Sequence, residues 1–117
     1  MRSGARTPEE LELLFEDALV VGDHDAVSAL FEDGAVLVRS GAPGEARGSG
    51  QIARIAGELC ARELTYLADS CRVLQARDTA LVVAGNGVSV VRRDAGGTWR
   101  YAIALLAFDN PEHEEST

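Results

Sequence analysis

GTWRYAIALLAFDNP, from Gly97 to Pro111, is the stretch of sequence that decides the fold. It reads as one long apolar strand between a Trp-Arg pair and a closing Asp-Asn-Pro. Both alternations of the strand are apolar: Tyr101, Ile103, Leu105 and Ala107 on one, Ala102, Ala104, Leu106 and Phe108 on the other. A sheet with helices on one face and water on the other would alternate between apolar and polar residues. The stretch therefore predicts a sheet covered on both faces, by helices on one and by a second subunit on the other.

The residues before this stretch predict two more long strands and three helices. Alternating and β-branched residues place the strands at about 64–76, 80–93 and 98–108, with turns at Arg77-Asp78 and Asp94 to Gly97. Both alternations of the segment 81–91 are again apolar, and Gly85 and Gly87 mark a bend or bulge in it. Helices followed by an antiparallel meander indicate an α+β protein with the helices on one face of the sheet.

The first helix is predicted to start at the capping box Thr7-Pro8-Glu9-Glu10 and to end at Gly22. Its apolar stripe consists of Leu11, Leu14, Phe15, Ala18 and Val21, with Glu12, Glu16 and Asp17 outside. Asp23 caps a second helix, whose inward residues are Val27, Leu30 and Phe31 and which Gly34 closes. A short β segment follows at Ala35 to Val38.

The glycine-rich segment Ser40 to Gly50 is predicted to be a loop without regular structure and a candidate lid. Ser49 caps the third helix, whose apolar face holds Ile52, Ile55, Ala56 and Leu59. GSGQIA, residues 48–53, imitates part of a dinucleotide-binding motif but lacks the βαβ context, so no cofactor is expected.

Length, charge and cysteine content limit the classes of function. The 117 residues predict one domain, 1–117, with flexible tails at 1–6 and 112–117. A formal net charge of −8 argues against nucleic acid and membrane surfaces as partners. Cys60 and Cys71 are too few for a disulfide framework, no leader is visible, and no histidine has metal-ligand spacing. We therefore expect a cytoplasmic protein with free thiols and no metal.

Four strings in order resemble the nuclear transport factor 2-like (NTF2-like) superfamily, in its bacterial SnoaL-like and ketosteroid-isomerase-like branch. The strings are VVGDHDAVSALFEDGAVLV, ARGSGQI, VSVVRRDAGGTWRYAI and FDNP. The resemblance implies an NTF2-like (cystatin-like) cone, in which three N-terminal helices pack on a curved antiparallel β-sheet. It also implies a pocket inside the cone and a sheet-to-sheet homodimer.

The resemblance transfers the fold better than the chemistry. The places of the isomerase's aspartate base, helix-one tyrosine and protonated acid hold Arg39, Phe15 and Asn86. Arg39 cannot accept a proton, because a guanidinium stays charged at any working pH. Isomerisation by that mechanism is therefore disfavoured.

Each candidate site residue has two interpretations. Asn86 is a pocket group for a ligand carbonyl or hydroxyl, or an amide satisfied by a bulge. Arg39 binds a ligand carboxylate at the pocket rim, or lies at the surface. Tyr66 and Tyr101 offer hydroxyls to the pocket, or pack in the core. Asp69 does acid–base work, or is exposed at a strand bulge.

Two functions follow from these observations. The first is binding of a small, largely apolar metabolite in the cone, with SnoaL-like cyclase, isomerase or hydrolase chemistry of bacterial secondary metabolism. Its ligand-binding residues are Phe15, Arg39, Tyr66, Asn86 and Tyr101, and its catalytic candidates are Asp69 and Asn86. The alternative is a non-catalytic dimeric module that binds another protein or assembles through its sheet.

Overall fold

A computed structural model describes residues 4–39, 44–61, 70–84 and 87–106. These residues form three helices and six strands. In chain order they are α1 (Pro8–Val21), α2 (His24–Ala29), β1 (Phe31–Arg39), β2 (Ala46–Arg47), α3 (Gly48–Ala61), β3 (Ser70–Ala76), β4 (Thr79–Ala84), β5 (Gly87–Arg93) and β6 (Trp99–Leu106). The α+β class predicted from the sequence is confirmed.

The six strands form one sheet in the order β2-β1-β6-β5-β4-β3. Neighbouring strands pair antiparallel except β1 and β6, which run parallel, so the sheet is mixed rather than wholly antiparallel. The core lies between the helices and one face of this sheet, which we call the inner face. The inner face carries Phe31, Leu37, Val82, Ser89, Val91, Tyr101, Ala104 and Leu106.

Helix α1 starts and ends where the sequence predicts. The Thr7 hydroxyl accepts a hydrogen bond from the Glu10 backbone N–H at 3.0 Å, and Gly22 ends the helix at φ 83°. Its buried face is rotated relative to the prediction, however, because Val21 is 76% exposed whereas Leu19 is 8% and Glu12 only 1% exposed. The inward assignment of Val21 and the outward assignment of Glu12 are wrong.

The second helix is shorter than predicted, because the residues expected at its end pair with the sheet instead. Helix α2 ends at Ala29, and Phe31, expected inside it, begins β1. The Tyr101 backbone N–H donates to the Leu30 carbonyl oxygen at 2.8 Å, and Phe31 pairs with Tyr101. Gly34 therefore lies within β1 and closes no helix.

The predicted loop Ser40 to Gly50 holds regular structure over its second half. Ala46 and Arg47 pair with Leu37 and Val36 as an edge strand, and α3 begins at Gly48 rather than after a Ser49 cap. Residues 40–43 lie outside the described part of the chain, and the lid stays a prediction.

The predicted strand 80–93 is two strands. β4 and β5 pair antiparallel, and Ala84 is the partner of Gly87. The chain therefore reverses direction between these two residues, and the assignment of 81–91 to two faces of one strand is wrong. Gly-Asn between apolar alternating runs is a hairpin signal that was available in the sequence.

A β-bulge in β6 explains why apolar residues occupy both alternations of the segment from Tyr101 to Leu106. Val90 pairs with Ile103 but Val91 pairs with Tyr101, so Ala102 is an extra residue. Alternation is interrupted there, and Tyr101 shares the inner face with Ala104 and Leu106. The predicted grouping of Tyr101 with Ile103 and Leu105 is therefore wrong.

The opposite, outer face of the sheet is aliphatic and partly open. Two rows cross it in register: Leu74, Leu81, Val90, Ile103 and Val36 in one, and Val83, Val88, Leu105 and Val38 in the other. Ile103, Leu105, Leu74 and Val88 are 40–50% exposed.

The turn end of the β5–β6 hairpin is held by contacts to Trp99. Arg93 pairs with Trp99, and its guanidinium lies 5.4 Å from the centroid of the indole ring. Ala5, assigned by sequence to a tail, is fully buried and bridges to Trp99.

Candidate functional site

Three aromatic rings form the centre of the interior. Phe15 on α1 meets Phe31 and Tyr101 edge-on, with ring centroids 6.1 and 5.6 Å away, and Phe31 and Tyr101 lie 5.0 Å apart. Phe31 and Tyr101 are brought together by the parallel pairing of β1 and β6. This cluster gives the interior a rigid apolar wall.

A buried carboxylate lies against this wall. The Tyr101 hydroxyl donates to Glu12 Oε2 at 2.5 Å, and Glu12 is 1% exposed. A hydrogen bond to an ionised acceptor is short and strong, and it offsets part of the desolvation of the carboxylate. The pair places a proton acceptor within an otherwise apolar environment.

Sequence reasoning missed Glu12 because it counted every acidic residue of α1 as solvent-exposed. Glu12 is three residues before Phe15 and seven before Leu19, which is the spacing of one helix face. Both of these apolar residues are buried. The signal was therefore present in the spacing.

A second polar group, Ser89, lies buried on the inner face. Ser89 is 2% exposed, between Val82 and Ala104 in register, and no residue in the described ranges hydrogen-bonds its hydroxyl. Buried hydroxyls in native proteins are satisfied by protein, water or ligand. Ser89 is therefore a buried inner-face hydroxyl whose hydrogen-bond partner is not among the described residues.

The inner-face residues next to Ser89 are small. Gly87 and Ala84 pair with each other, and Gly87 also pairs with Leu106. A Cβ at Gly87 would overlap the Leu105 carbonyl oxygen, so a glycine is required there. Small residues are thus concentrated at this end of β4 and β5.

At the side of the inner face, β1, β2 and α3 enclose a cavity of about 150 Å³. Leu37, Arg39 and Ala46 line it from the strands, and Gln51, Arg54 and Ile55 line it from α3. The Arg39 side chain is 24% exposed, and its guanidinium lies 3.8 Å from Glu58, beyond hydrogen-bond distance. Arg39 therefore lies at an edge of the interior, and its role in binding a ligand at a pocket rim stays a prediction.

A larger cavity of about 500 Å³ lies between α1, α2 and the first residues of β6. It is mostly apolar, with Leu14, Ala18, Leu30 and Trp99 among its lining residues. A molecule bound there would touch neither Glu12 nor Ser89, since neither lines this cavity.

Solved structures with the same architecture are numerous. A ketosteroid isomerase-like protein from Erwinia carotovora superposes with a TM-score of 0.70 and 22% identity, over 88% of this chain and 94% of that one. An NTF2-like protein with a cystatin-like fold from Novosphingobium aromaticivorans gives 0.67 and 20%, over 86% and 78%. The chain has the NTF2-like fold.

An NTF2-like fold also occurs in a protein from Thiobacillus denitrificans that is named for the association domain of calcium/calmodulin-dependent protein kinase type II. It superposes with a TM-score of 0.72 at 16% identity, covering 94% of this chain and all of that one. No protein-family model matches the sequence, and no curated protein matches it significantly.

Within the NTF2-like interior, the structure brings together two of the predicted ligand-binding residues, Phe15 and Tyr101. Arg39 shares the inner face but pairs with Leu106, about 16 Å along β6 from Tyr101 at 3.3 Å per residue. Tyr66, Asp69 and Asn86 lie outside the described residues, and their roles stay predictions.

One further side chain of potential reactivity, the thiol of Cys60, lies among the described residues. Cys60 is a free, partly buried thiol whose pKa is raised by burial and, second, by the negative charge of Asp23. A raised pKa lowers the thiolate fraction and hence the reactivity. The described part of the chain contains no cluster of metal-ligating side chains and no helix long and apolar enough to span a membrane.

Proposed function

We propose that this protein binds a small, largely apolar molecule between its helices and the inner face of its sheet. The observation that carries the proposal is the buried hydroxyl of Ser89, which has no hydrogen-bond partner among the described residues. Leaving a hydroxyl buried without a partner costs about 1–3 kcal/mol, and a hydroxyl or carbonyl on a guest removes that cost. The aromatic cluster supplies the apolar contact.

Glu12 and Tyr101 form the second polar contact of the proposed ligand. Glu12 is the one carboxylate buried among the described residues, so it is the proton acceptor for any acid–base step on the guest. The isomerase-like name of the Erwinia protein supports such chemistry of the cyclase, isomerase or hydrolase kind. The position of that acceptor on α1 differs from the strand-end base that Arg39 replaces.

Ligand-observed NMR with a panel of neutral one- to three-ring fragments, each with one hydroxyl or carbonyl, tests the proposal. We expect at least one fragment to bind the wild-type protein and to lose about tenfold or more in affinity in Ser89→Leu, which fills the inner face. If no fragment binds, or if Ser89→Leu binds as well as wild type, the proposal is wrong.

Two controls locate the binding. Val88→Leu makes the same kind of change one residue away on the outer face and should leave affinity unchanged. Ala26→Leu fills the 500 Å³ cavity beside α2 and should also leave it unchanged. If Ser89→Leu misfolds, Ser89→Ala serves instead, because it nearly keeps the side-chain volume and removes only the hydroxyl. Its loss of fragment affinity then measures the hydrogen bond between Ser89 and the fragment.

A second proposal concerns assembly: the outer face pairs with the outer face of another copy. The two aliphatic rows support it, because side chains such as Ile103 and Leu105 are half exposed on the chain alone. Like surfaces meeting about a twofold axis form a closed dimer. The association-domain name of the Thiobacillus protein supports oligomerisation of this fold, and assembly alone is the alternative function.

Analytical ultracentrifugation of wild type and of Ile103→Asp tests whether the chain dimerises through its outer face. We expect a wild-type dimer at micromolar concentration and a monomer for the variant, because the charge would be buried unpaired in the interface. Val20→Asp, at a position 79% exposed on α1, is the matched control and should remain dimeric. A monomeric wild type, or a dimer that survives Ile103→Asp, contradicts the proposal.

A cytoplasmic location completes the proposal. It is supported by the free thiol of Cys60, since reducing compartments keep thiols free. The net charge of −8 supports partners other than nucleic acid.

A further inference from the structure

The 150 Å³ cavity between β1, β2 and α3 contains two arginines and a side-chain amide. Arg39 enters it from the inner face of β1, and Gln51 and Arg54 enter it from α3. At about 30 Å³ per water, the volume holds about five waters, enough for a small charged group and its hydration. We propose that this cavity binds a carboxylate on the guest molecule; the inference deepens the proposed function and rests on it.

The guanidinium of Arg39 is able to donate hydrogen bonds to a ligand. Its side chain is three-quarters buried, and its guanidinium donates no hydrogen bond to any described residue. Glu58, at 3.8 Å and half exposed, is an ion-pair partner beyond hydrogen-bond distance, so it satisfies none of the five N–H donors. Guanidinium N–H groups bind a carboxylate in a planar, two-point geometry.

Gln51 and Arg54 add donors from the other side. The Gln51 Oε1 atom accepts the Arg47 backbone N–H at 2.9 Å, which fixes the amide so that its NH₂ group remains a donor. Arg54 is exposed and has no ion pair with any described residue. Glu45, which also lines the cavity, is already held by the Arg47 guanidinium at 2.5 Å.

The charges around the cavity fit a single negative charge. Arg39 and Arg54 contribute two positive charges, and the nearby Glu58 offsets one of them. A carboxylate balances the remainder, whereas a phosphate dianion exceeds it. The bound group is therefore a carboxylate rather than a phosphate.

The position of the cavity sets the shape of the ligand. Arg39 pairs with Leu106, and Leu106 pairs with Gly87, so the small residues of β4 and β5 begin about 10 Å across the sheet from Arg39. Leu106 is covered by the protein itself, so a ligand with its carboxylate at Arg39 lays its apolar body against Leu37, Ala46 and Ile55, which line the same cavity. The substrate class is thus an apolar molecule that ends in one carboxylate.

Binding of 2-naphthoate and of its neutral counterpart 2-naphthol to the full chain, followed by fluorescence titration, tests the inference. We expect wild type to bind 2-naphthoate at least tenfold more tightly than 2-naphthol. Arg39→Gln should remove about tenfold or more of the naphthoate affinity, Arg54→Gln about threefold, and neither should change that of naphthol. Arg72→Gln, an exposed arginine on β3, is the control and should change neither.

The outcomes separate the two proposals. Equal affinity for both compounds, or parallel loss of both in Arg39→Gln, overturns the carboxylate site while the interior binding site stands. If neither compound binds, the interior site is in doubt, and Nε–Hε NMR shifts of Arg39 and Arg54 on addition of acetate or inorganic phosphate decide the carboxylate site alone. Shifts of the Arg39 and Arg54 signals on addition of acetate support the carboxylate site. Shifts with phosphate only, or with neither anion, overturn it.

Discussion

The inner and outer faces of β5 and β6 are built from alternate residues of the same two strands, and they differ in one informative way. On the inner face Ser89, Val91 and Tyr101 are at most 2% exposed, whereas on the outer face Ile103 and Leu105 are about half exposed. Both faces are aliphatic or aromatic, so apolar content does not tell them apart. The buried polar groups of the inner face and the exposed apolar groups of the outer face carry the functional information.

The largest expected effect comes from removing an inner-face ring contact. Phe15→Ala should lower the free energy of unfolding by about 3–5 kcal/mol, because it leaves a cavity beside Phe31 and Tyr101. Urea denaturation measures it. Leu105→Ala on the outer face should cost only about 1 kcal/mol in the monomer.

Equal losses for these two variants would break the distinction between the faces. A loss for Leu105→Ala that grows with protein concentration would instead show that the outer face is buried in an assembly.

Gly87→Ala is expected to lower the free energy of unfolding by about 1–3 kcal/mol. The new Cβ would overlap the Leu105 carbonyl oxygen, which belongs to the backbone and cannot move without shifting the strand. Gly57→Ala in α3 is the control. No atom lies within 4 Å of a Cβ built there, so this change should raise helix stability by up to about 1 kcal/mol. Thermal unfolding of both variants gives the comparison, and stabilisation by both would contradict the close strand approach.

Tyr101→Phe isolates the polar part of the inner face. The ring remains in the aromatic cluster, but Glu12 loses a hydrogen bond inside the protein, which should cost about 1–3 kcal/mol. An unfolding free energy equal to that of wild type would mean that the Tyr101 hydroxyl does not stabilise the buried carboxylate.

The smallest effect is expected at the exposed tip of the β5–β6 hairpin, which belongs to neither face. The Thr98 backbone N–H and then the Arg100 side chain hold the pKa of Asp94 below its ordinary value. Because the folded pKa is the lower one, the stabilisation is present above the unfolded pKa of about 3.9 and is lost as pH falls through the folded value.

Melting temperatures of Asp94→Asn and wild type should therefore differ slightly at neutral pH and converge as the pH falls below about 4. A difference that widens on acidification would assign the pH dependence to another group.

Much of this architecture was readable from local sequence signals. Thr7 and Gly22 bound α1 because capping and the left-handed φ are properties of a few adjacent residues. Phe31 was assigned to a helix because its strand partner, Tyr101, lies far along the chain. Local propensity contains no information about that pairing.

The site was less predictable than the fold. Phe15 and Tyr101 were chosen from the sequence, and they meet in the structure. Glu12 and Ser89 were not, because burial of a polar side chain depends on what packs over it rather than on its neighbours in sequence. Arg54 was likewise invisible until α3 faced the end of β1.

The parallel pairing of β1 with β6 bears on how this chain is made. During synthesis α1, α2 and β1 leave the ribosome well before β6. Until β6 has been made, the edge of β1 that pairs with β6 has no partner strand. Contacts this distant in sequence form late and slow folding. The nascent chain therefore keeps this edge of β1 open until β6 emerges.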